Sequence, residues 1–381
     1  MTEYAVDSIV VSEETQSPPF PALPSGLRTP LVSVIVTVYN SERYIRKTLE
    51  SVALQSYDPF ECIIVEDCST DNTLSVIENL LDEWQDPRFR LVRHEKNGGQ
   101  MAAEITGFRA CSGTFVTFLD SDDVLAPDAL EAHVAVHLGC EPVAAMTCFD
   151  AAMIDGDDTV LSAHHREMRP VRWQFFRPEV TKKTIELLGS RVECRIIPPA
   201  PANRVLLREN YFWTTQSFMM FRRPFLDLII PEETDLFRIC ADYYLASMTH
   251  AFNTTILVSR CGGAYRLHGG NGFTQGQLMS AEQESADALR FRWQPQQGAE
   301  LAARIMEERF ERFAVMFGDF RVARALLSLS RKVRPGVCRL LRKRMSLFRS
   351  AFSLTVAFVS ARIARVRVSV RTCKRVLWAG Y

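Results

Sequence analysis

The stretch "FVTFLDSDDVLAPDALEAHV", residues 115–134, decides the fold. It opens on an apolar run rich in β-branched and aromatic residues, as a strand covered on both faces requires. It ends in Asp120, Ser121, Asp122 and Asp123, and then turns helical, with Pro127 suited to a first helical turn. Three carboxylates in four positions at the end of a buried strand need a counter-charge. In an open α/β sheet the carboxyl ends of the strands are where ligands bind.

The same alternation extends in both directions. "LVSVIVTVY" (31–39), "FECIIVED" (60–67), "FRLVRHE" (89–95) and "VAAMTCFDA" (143–151) read as further strands. Between them lie helical stretches. Asn40 or Ser41 can cap the first, with Ile45, Leu49 and Val52 on one face; "STDNTLSVIENLLDEW" (69–84) and "GGQMAAEITGFRAC" (98–111) follow. Strands separated by helices predict a Rossmann-like, mostly parallel sheet. From about 155 to 210 the pattern weakens, and "RIIPPAPANRV" reads as a loop or an interrupted segment. "TTQSFMMF" (214–221) is strand-like. "ETDLFRICADYYLASMTHAF" (233–252) reads as one helix with Leu236, Ile239, Tyr243 and Ala246 on one face. "TTILVS" and "GAYRLH" read as two short strands, and the chain beyond Met279 reads as helical. The expected organisation is a flexible leader over 1–29, an α/β domain over 30–278 and a helical basic region over 279–381.

The chain has 381 residues and a formal net charge of zero. That zero hides an asymmetry. All 45 acidic residues lie at or before Asp319, together with only 29 of the 45 basic ones, so the body carries −16 and the tail is purely basic. Over 331–381 Arg alternates with Leu, Phe, Val and Trp, as in a helix lying on an anionic membrane surface. Docking on the acidic body, or oligomerisation, explains the same charge. Nucleic acid is disfavoured, since no nucleic-acid motif accompanies the tail. The charge-free stretch "SAFSLTVAFVSA" is too short to span a bilayer. The ten cysteines form no CxxC and read as buried free thiols of a reducing compartment. With no basic start or apolar run at the N-terminus, a cytoplasmic location is expected, peripheral on the inner membrane face if the tail binds lipid.

Four polar clusters fall at predicted strand ends: Thr37-Tyr39-Asn40, Glu66-Asp67, His94 to Gly99, and Asp120 to Asp123. "NGGQ" is neither a GxGxxG nor a P-loop, which argues against a dinucleotide fold and a P-loop nucleotide site. Clustered carboxylates suit a hard divalent cation, Mg²⁺ or Mn²⁺, which binds through one or two carboxylates plus substrate phosphates. Asp123 fits the start of the following helix, where a carboxylate meets free amides; capping does not account for Asp120 and Asp122.

"VSVIVTVYN", "VEDCSTDNT", "NGGQMAA" and "FLDSDDV", in that order and spacing, resemble the family-two glycosyltransferases, which have the GT-A fold. The resemblance covers roughly residues 30–270. It implies a sugar transferred with inversion from a nucleotide-diphosphate donor, a UDP-sugar, to a hydroxyl of a cell-surface or lipid-linked glycan. It implies Thr37, Tyr39 and Asp67 at the nucleotide base, and Asp120 and Asp122 as the DxD pair handling the ribose and a divalent cation. It also implies Asp242 as general base and His268 near the diphosphate. The chain departs from the family pattern in Glu66-Asp67 where many members have Asp-Asp, in Ala103-Glu104-Ile105 where many have Ala-Arg-Asn, and in Ala241 where an acidic residue usually precedes the base. These departures keep open a non-catalytic or degenerate sugar-nucleotide-binding protein. A nucleotidyltransferase shares the sheet and metal logic, but "TVYNSERY" lacks its Gly-rich loop. Trp213 is expected in the core, Arg222 in a structural contact, and His164 and His165 carry no expected role.

Overall fold

The computed structural model describes residues 28–164, 180–206, 213–232, 236–268 and 295–329. The leader up to residue 27 and the basic segment 331–381 lie outside the described residues, and with them the expectations placed on both.

The β/α alternation appears as read from the sequence. Strands β1 (Val32–Val38), β2 (Phe60–Glu66), β3 (Phe89–Arg93) and β4 (Phe115–Asp120) alternate with helices α1 (Ile45–Ala53), α2 (Thr73–Trp84) and α3 (Gln100–Ala110). The short β5 (Val124–Leu125), α4 (Ala129–Gly139), β6 (Met146–Asp155) and β7 (Val160–Ser162) follow, then a hairpin of β8 (Thr181–Leu187) and β9 (Ser190–Ile197). Beyond them come α5 (Ala202–Leu206), β10 (Met219–Arg222), α6 (Arg223–Ile229), α7 (Ala241–Phe252) and β11 (Thr255–Leu267). Helices α8 (Pro295–Glu308), α9 (Phe310–Phe317) and α10 (Asp319–Leu329) close the described chain.

The strands run β3-β2-β1-β4-β10-β6-β11-β9-β8 across one sheet. β1 to β4 are mutually parallel, and β6 pairs parallel with β11. β10 is inserted antiparallel between β4 and β6, so a late segment reaches the middle of the sheet. Successive β1 residues face opposite sides: Val34 and Val36 join a core beneath α1, α2 and α4, whereas Ile35 joins one formed with α3, α6 and α7. Helices α8 to α10 belong to that second core. The Phe313 ring packs against Phe252 at 5.3 Å, tilted by 56°, and the Arg309 guanidinium donates to the carbonyls of Asp227, Leu228 and Ile230 at the end of α6.

Several local expectations are corrected. The first helix begins at Ile45, and Ser41 contributes its backbone carbonyl to the amides of Tyr44 and Ile45 rather than a side-chain cap. Of the stretch read as one helix from 233, the described residues ahead of Ala241 are not helical, and the helix begins at Ala241. Cys240 ahead of it has φ +62°, a left-handed conformation that stops a helix extending backward. The two short strands are one strand, β11, interrupted by register shifts between Val258 and Ala264. Arg222 does hold structure, donating to Ala144 and His137 carbonyls, and Trp213 is fully buried. Among the described residues eight cysteines are free thiols, five of them buried.

Candidate active site

The carboxyl ends of β1, β2 and β4 form one edge, since Thr37 pairs in register with Asp120 on one side and Val65 on the other. Tyr39, just beyond β1, is 46% exposed and stands over this edge. Asp67, just beyond β2, is buried. Its Oδ1 accepts from the Gly98 amide at 2.8 Å and its Oδ2 from the Gly99 amide at 2.7 Å; His94 Nδ1 lies 2.7 Å from Oδ1. Asp67 therefore pins the glycine loop to the sheet. A carboxylate has about four acceptor positions, so a base contact would use what remains. Gly99 has φ +86°, and a Cβ there would lie 2.8 Å from the Arg238 backbone, so the loop needs glycine at this position.

Asp120 ends β4 and faces the centre of the site. Its Oδ1 accepts from Gln216 Nε2 at 2.7 Å and Gln100 Nε2 at 3.2 Å, and its own amide donates to Ser217 Oγ at 3.1 Å. Burial, reinforced by Asp122 and Asp242, pushes its carboxyl up to about 7. Asp242, though far away in sequence, lies in the first turn of α7 and adds to the repulsion on Asp120. Gln100 connects the two elements, because its Oε1 accepts from the Ala241 amide at 3.1 Å while its Nε2 binds Asp120. Asp122 Oδ2 lies 2.8 Å from His268 Nε2, and the His268 ring packs on Tyr44 at 4.8 Å.

Asp123 departs from the sequence reading. The helix after it starts at Ala129 with Asp128 at its cap position, so Asp123 is no part of the helix start. It is fully buried and accepts from Ser217 Oγ at 2.6 Å and from the Arg266 amide at 3.0 Å, tying β4 to β11. Burial beside Asp122 and Asp120 raises its carboxyl well above the usual range. Arg266, also buried, donates to the Asp122 carbonyl at 2.8 Å and to Asp158 at 2.6 Å. The DxD turn is thus braced from behind by a strand formed some 140 residues later.

The expected residues Thr37, Tyr39, Asp67, Asp120, Asp122, Asp242 and His268 all fall along this edge or against it. Sequence reasoning missed Gln100, Gln216, Ser217 and Arg266. Gln100 ends the quoted "NGGQ", and its position there was the one available signal. Among the described residues no group of three His, Cys, Asp or Glu is arranged to hold a metal ion. Asp120 and Asp122 offer two carboxylates, a donor set that fits a hard cation completing its shell with diphosphate oxygens.

Residues 33–227 match the family described as Glycosyl transferase family 2. The chain is similar to the uncharacterised glycosyltransferase alr2836 of a Nostoc species, 28% identical over 257 residues that cover 67% of this chain and 70% of that protein. It is similar to the putative teichuronic acid biosynthesis glycosyltransferase TuaG of Bacillus subtilis, 43% identical over 102 residues, 27% of this chain and 40% of TuaG. That match spans less than half of TuaG. Among solved structures, S. aureus TarS residues 1–349 with UDP-GlcNAc aligns over 88% of this chain and 90% of that one at 20% identity, with a TM-score of 0.43.

Proposed function

The chain belongs to glycosyl transferase family 2, and from that premise we propose that it is an inverting, metal-dependent transferase moving a sugar from a UDP-sugar to a hydroxyl of a cell-surface or lipid-linked glycan. The observation that carries this reading is the convergence of Asp120, Asp122 and Asp242 at one sheet edge, two from the end of β4 and one from the start of α7. A strand-end pair for the donor and a separate carboxylate for the acceptor are the parts a direct displacement needs.

In this reading Thr37 and Tyr39 line the nucleotide base with Asp67, and Asp120 and Asp122 face the ribose and diphosphate. A divalent cation bound by Asp120 and Asp122 would neutralise charge on the leaving diphosphate. His268, bonded to Asp122, stands beside the same phosphates. Asp242 takes the proton from the acceptor hydroxyl as its oxygen attacks the anomeric carbon; the bond to the diphosphate oxygen breaks and its electrons leave with the nucleotide. One base with no second carboxylate placed as nucleophile gives inversion. The adjacent carboxylates are themselves support, because a cation between Asp120 and Asp122 would offset the repulsion between them.

The test is nucleoside diphosphate release from UDP-, GDP- and dTDP-sugars in the presence of Mn²⁺. Release with a UDP-sugar that disappears on EDTA treatment and in Asp122→Ala supports the reading. Binding without release, unchanged in Asp242→Asn, shows a degenerate binding protein, and pyrophosphate as product shows a nucleotidyltransferase.

A further inference from the structure

His164 and Asp150 form a hydrogen-bonded pair outside the residues used so far. Asp150 Oδ2 lies 2.8 Å from His164 Nδ1, and Asp150 Oδ1 accepts from the Ala151 amide at 2.9 Å. The carboxylate side chain is 12% exposed and the imidazole 70%. The sheet sets this pair beside the site. Met220 of β10 pairs with Thr117 of β4 on one side and with Thr147 of β6 on the other. Asp120 and Asp150, each three residues further on, therefore stand at one level, two strands apart, roughly 10 Å at ordinary strand spacing. Asp120 follows Val116 and Phe118 at alternate positions, and Asp150 follows Met146 and Cys148. All four belong to the core formed with α3, α6 and α7, so both carboxylates lie on the sheet face against which α7 packs. β11 occupies one edge of β6 from Met146 to Asp155, and β10 takes the other edge as far as Cys148. β7, pairing antiparallel with β6 through Ser162 and Met153, continues on the edge that β10 leaves, and runs back along it. His164 thus returns toward Asp150 on the side of β6 that faces β4, and Ser162 Oγ closes the turn by donating to the His164 carbonyl at 2.9 Å.

We propose that His164 is an acceptor-contact residue: its Nε2 accepts a hydrogen bond from a hydroxyl of the acceptor sugar, and Asp150 is the positioning residue behind it. An ionised carboxylate only accepts, so the bond to Asp150 puts the proton of a neutral imidazole on Nδ1 and turns the Nε2 lone pair outward. An outward lone pair suits a neutral hydroxyl, whereas a phosphate or carboxylate would meet acceptor with acceptor. Placement selects the acceptor over the donor. The donor of the proposed function lies along β1, β2 and β4, which leaves the β6 side of Asp120 for the sugar whose hydroxyl reaches Asp242. Asp242 serves the attacking hydroxyl, so His164 binds a second one. The inference rests on the transferase reading for the identity of its ligand; the geometry of the pair stands without it.

The experiment reads His164 directly. In nitrogen NMR spectra of histidine-labelled protein in mildly alkaline buffer, assigned with His164→Gln, His164 Nε2 should be unprotonated. A protonated Nε2 overturns the proposal and points to an anionic ligand. The methyl glycosides of glucose, galactose, mannose and N-acetylglucosamine are then titrated in the presence of Mn²⁺ and UDP. At least one should move the Nε2 signal; a signal that none of them moves overturns the proposal. With that glycoside as acceptor and a UDP-sugar as donor, His164→Ala should raise acceptor KM about tenfold, with kcat and donor KM within about twofold. His164→Gln, whose carbonyl also accepts from a hydroxyl, should bring acceptor KM back to within about threefold of wild type. Asp150→Asn should raise acceptor KM while moving the ring proton to Nε2, the signature of a lost tautomer rather than a lost fold. An acceptor KM unchanged in His164→Ala, or a donor KM that rises equally, overturns the proposal. A glycoside that moves His164 in wild-type protein without any UDP release defeats the transferase reading alone.

Discussion

The two walls of the site are built differently. The wall formed by β1, β2 and β4 draws each functional residue from a strand end, within one or two positions of a paired residue: Thr37, Asp67, Asp120. The opposite wall takes Gln216 and Ser217 from the turn before an inserted antiparallel strand, Asp242 from a helix that starts after a left-handed cysteine, and Arg266 and His268 from the end of β11. On the first wall local pattern fixes position. On the second, position depends on which distant segment packs where, so its residues are held in place through Gln100 and Asp123.

This contrast can be broken most directly at Asp242. If Asp242 is the proposed general base, Asp242→Asn should lower kcat by about a hundredfold or more while donor binding by calorimetry persists, because a general base contributes about 10²–10⁴ and the proposal places the donor on the other wall. Equal loss of binding would show that the walls do not divide donor from acceptor. Asp122→Ala should cost about a hundredfold in kcat/KM at saturating Mn²⁺, several kcal/mol of charge stabilisation, and a steady-state assay across Mn²⁺ concentrations measures it. Asp67→Ala strips the acceptor from two glycine amides, that of Gly99 buried and that of Gly98 half-buried. It should lower unfolding free energy by about 3 kcal/mol in a urea titration and weaken donor binding with it, marking the first wall as locally self-supporting. Gln100→Ala cuts the one side chain that bonds both Asp120 and the Ala241 amide, and a rise in donor KM of about tenfold is expected.

The last effect is on stability alone and concerns pH. His137 and His250 are buried, and burial holds each imidazole down at about 3, with Arg222 adding to the effect at His137. His137 also stacks on Phe115 and bonds the Met220 carbonyl at 3.1 Å. Below about 6.5 the unfolded chain binds protons at these sites that the folded chain refuses. Their contribution is complete above pH 6.5 and is lost as pH falls toward 3. Each gives a slope of up to about 1.4 kcal/mol per pH unit. Thermal melts between pH 7 and 4.5 should therefore show falling Tm, and His137→Gln should flatten that fall by about half of the two-histidine share.

The strands, the helices between them and the acidic turn were legible because both buried faces of a parallel sheet leave continuous apolar runs, such as "VSVIVTV" and "FVTFLD". Asp123 was misassigned because a carboxylate before a helical pattern looks alike whether it meets helix amides or a strand arriving 140 residues later. The helix at Ala241 was drawn too long because Leu236 and Ile239 continue its period, and the left-handed turn at Cys240 leaves no mark in the residue types. The split of β11 into two strands followed from Gly262 and Gly263, which interrupt the apolar run at a bulge in continuous pairing.

By itself the sequence determined the α/β class, the order of β1 to β4 and the carboxylates at their ends, since burial and chain direction act over a few residues. Only the tertiary structure decided that β10 enters the sheet centre, that Gln100 bridges Asp120 to α7, and that Asp123 binds the Arg266 amide. Those contacts join segments about 70 to 140 residues apart, and hydrogen-bond satisfaction at a shared buried edge, rather than any local propensity, selects them.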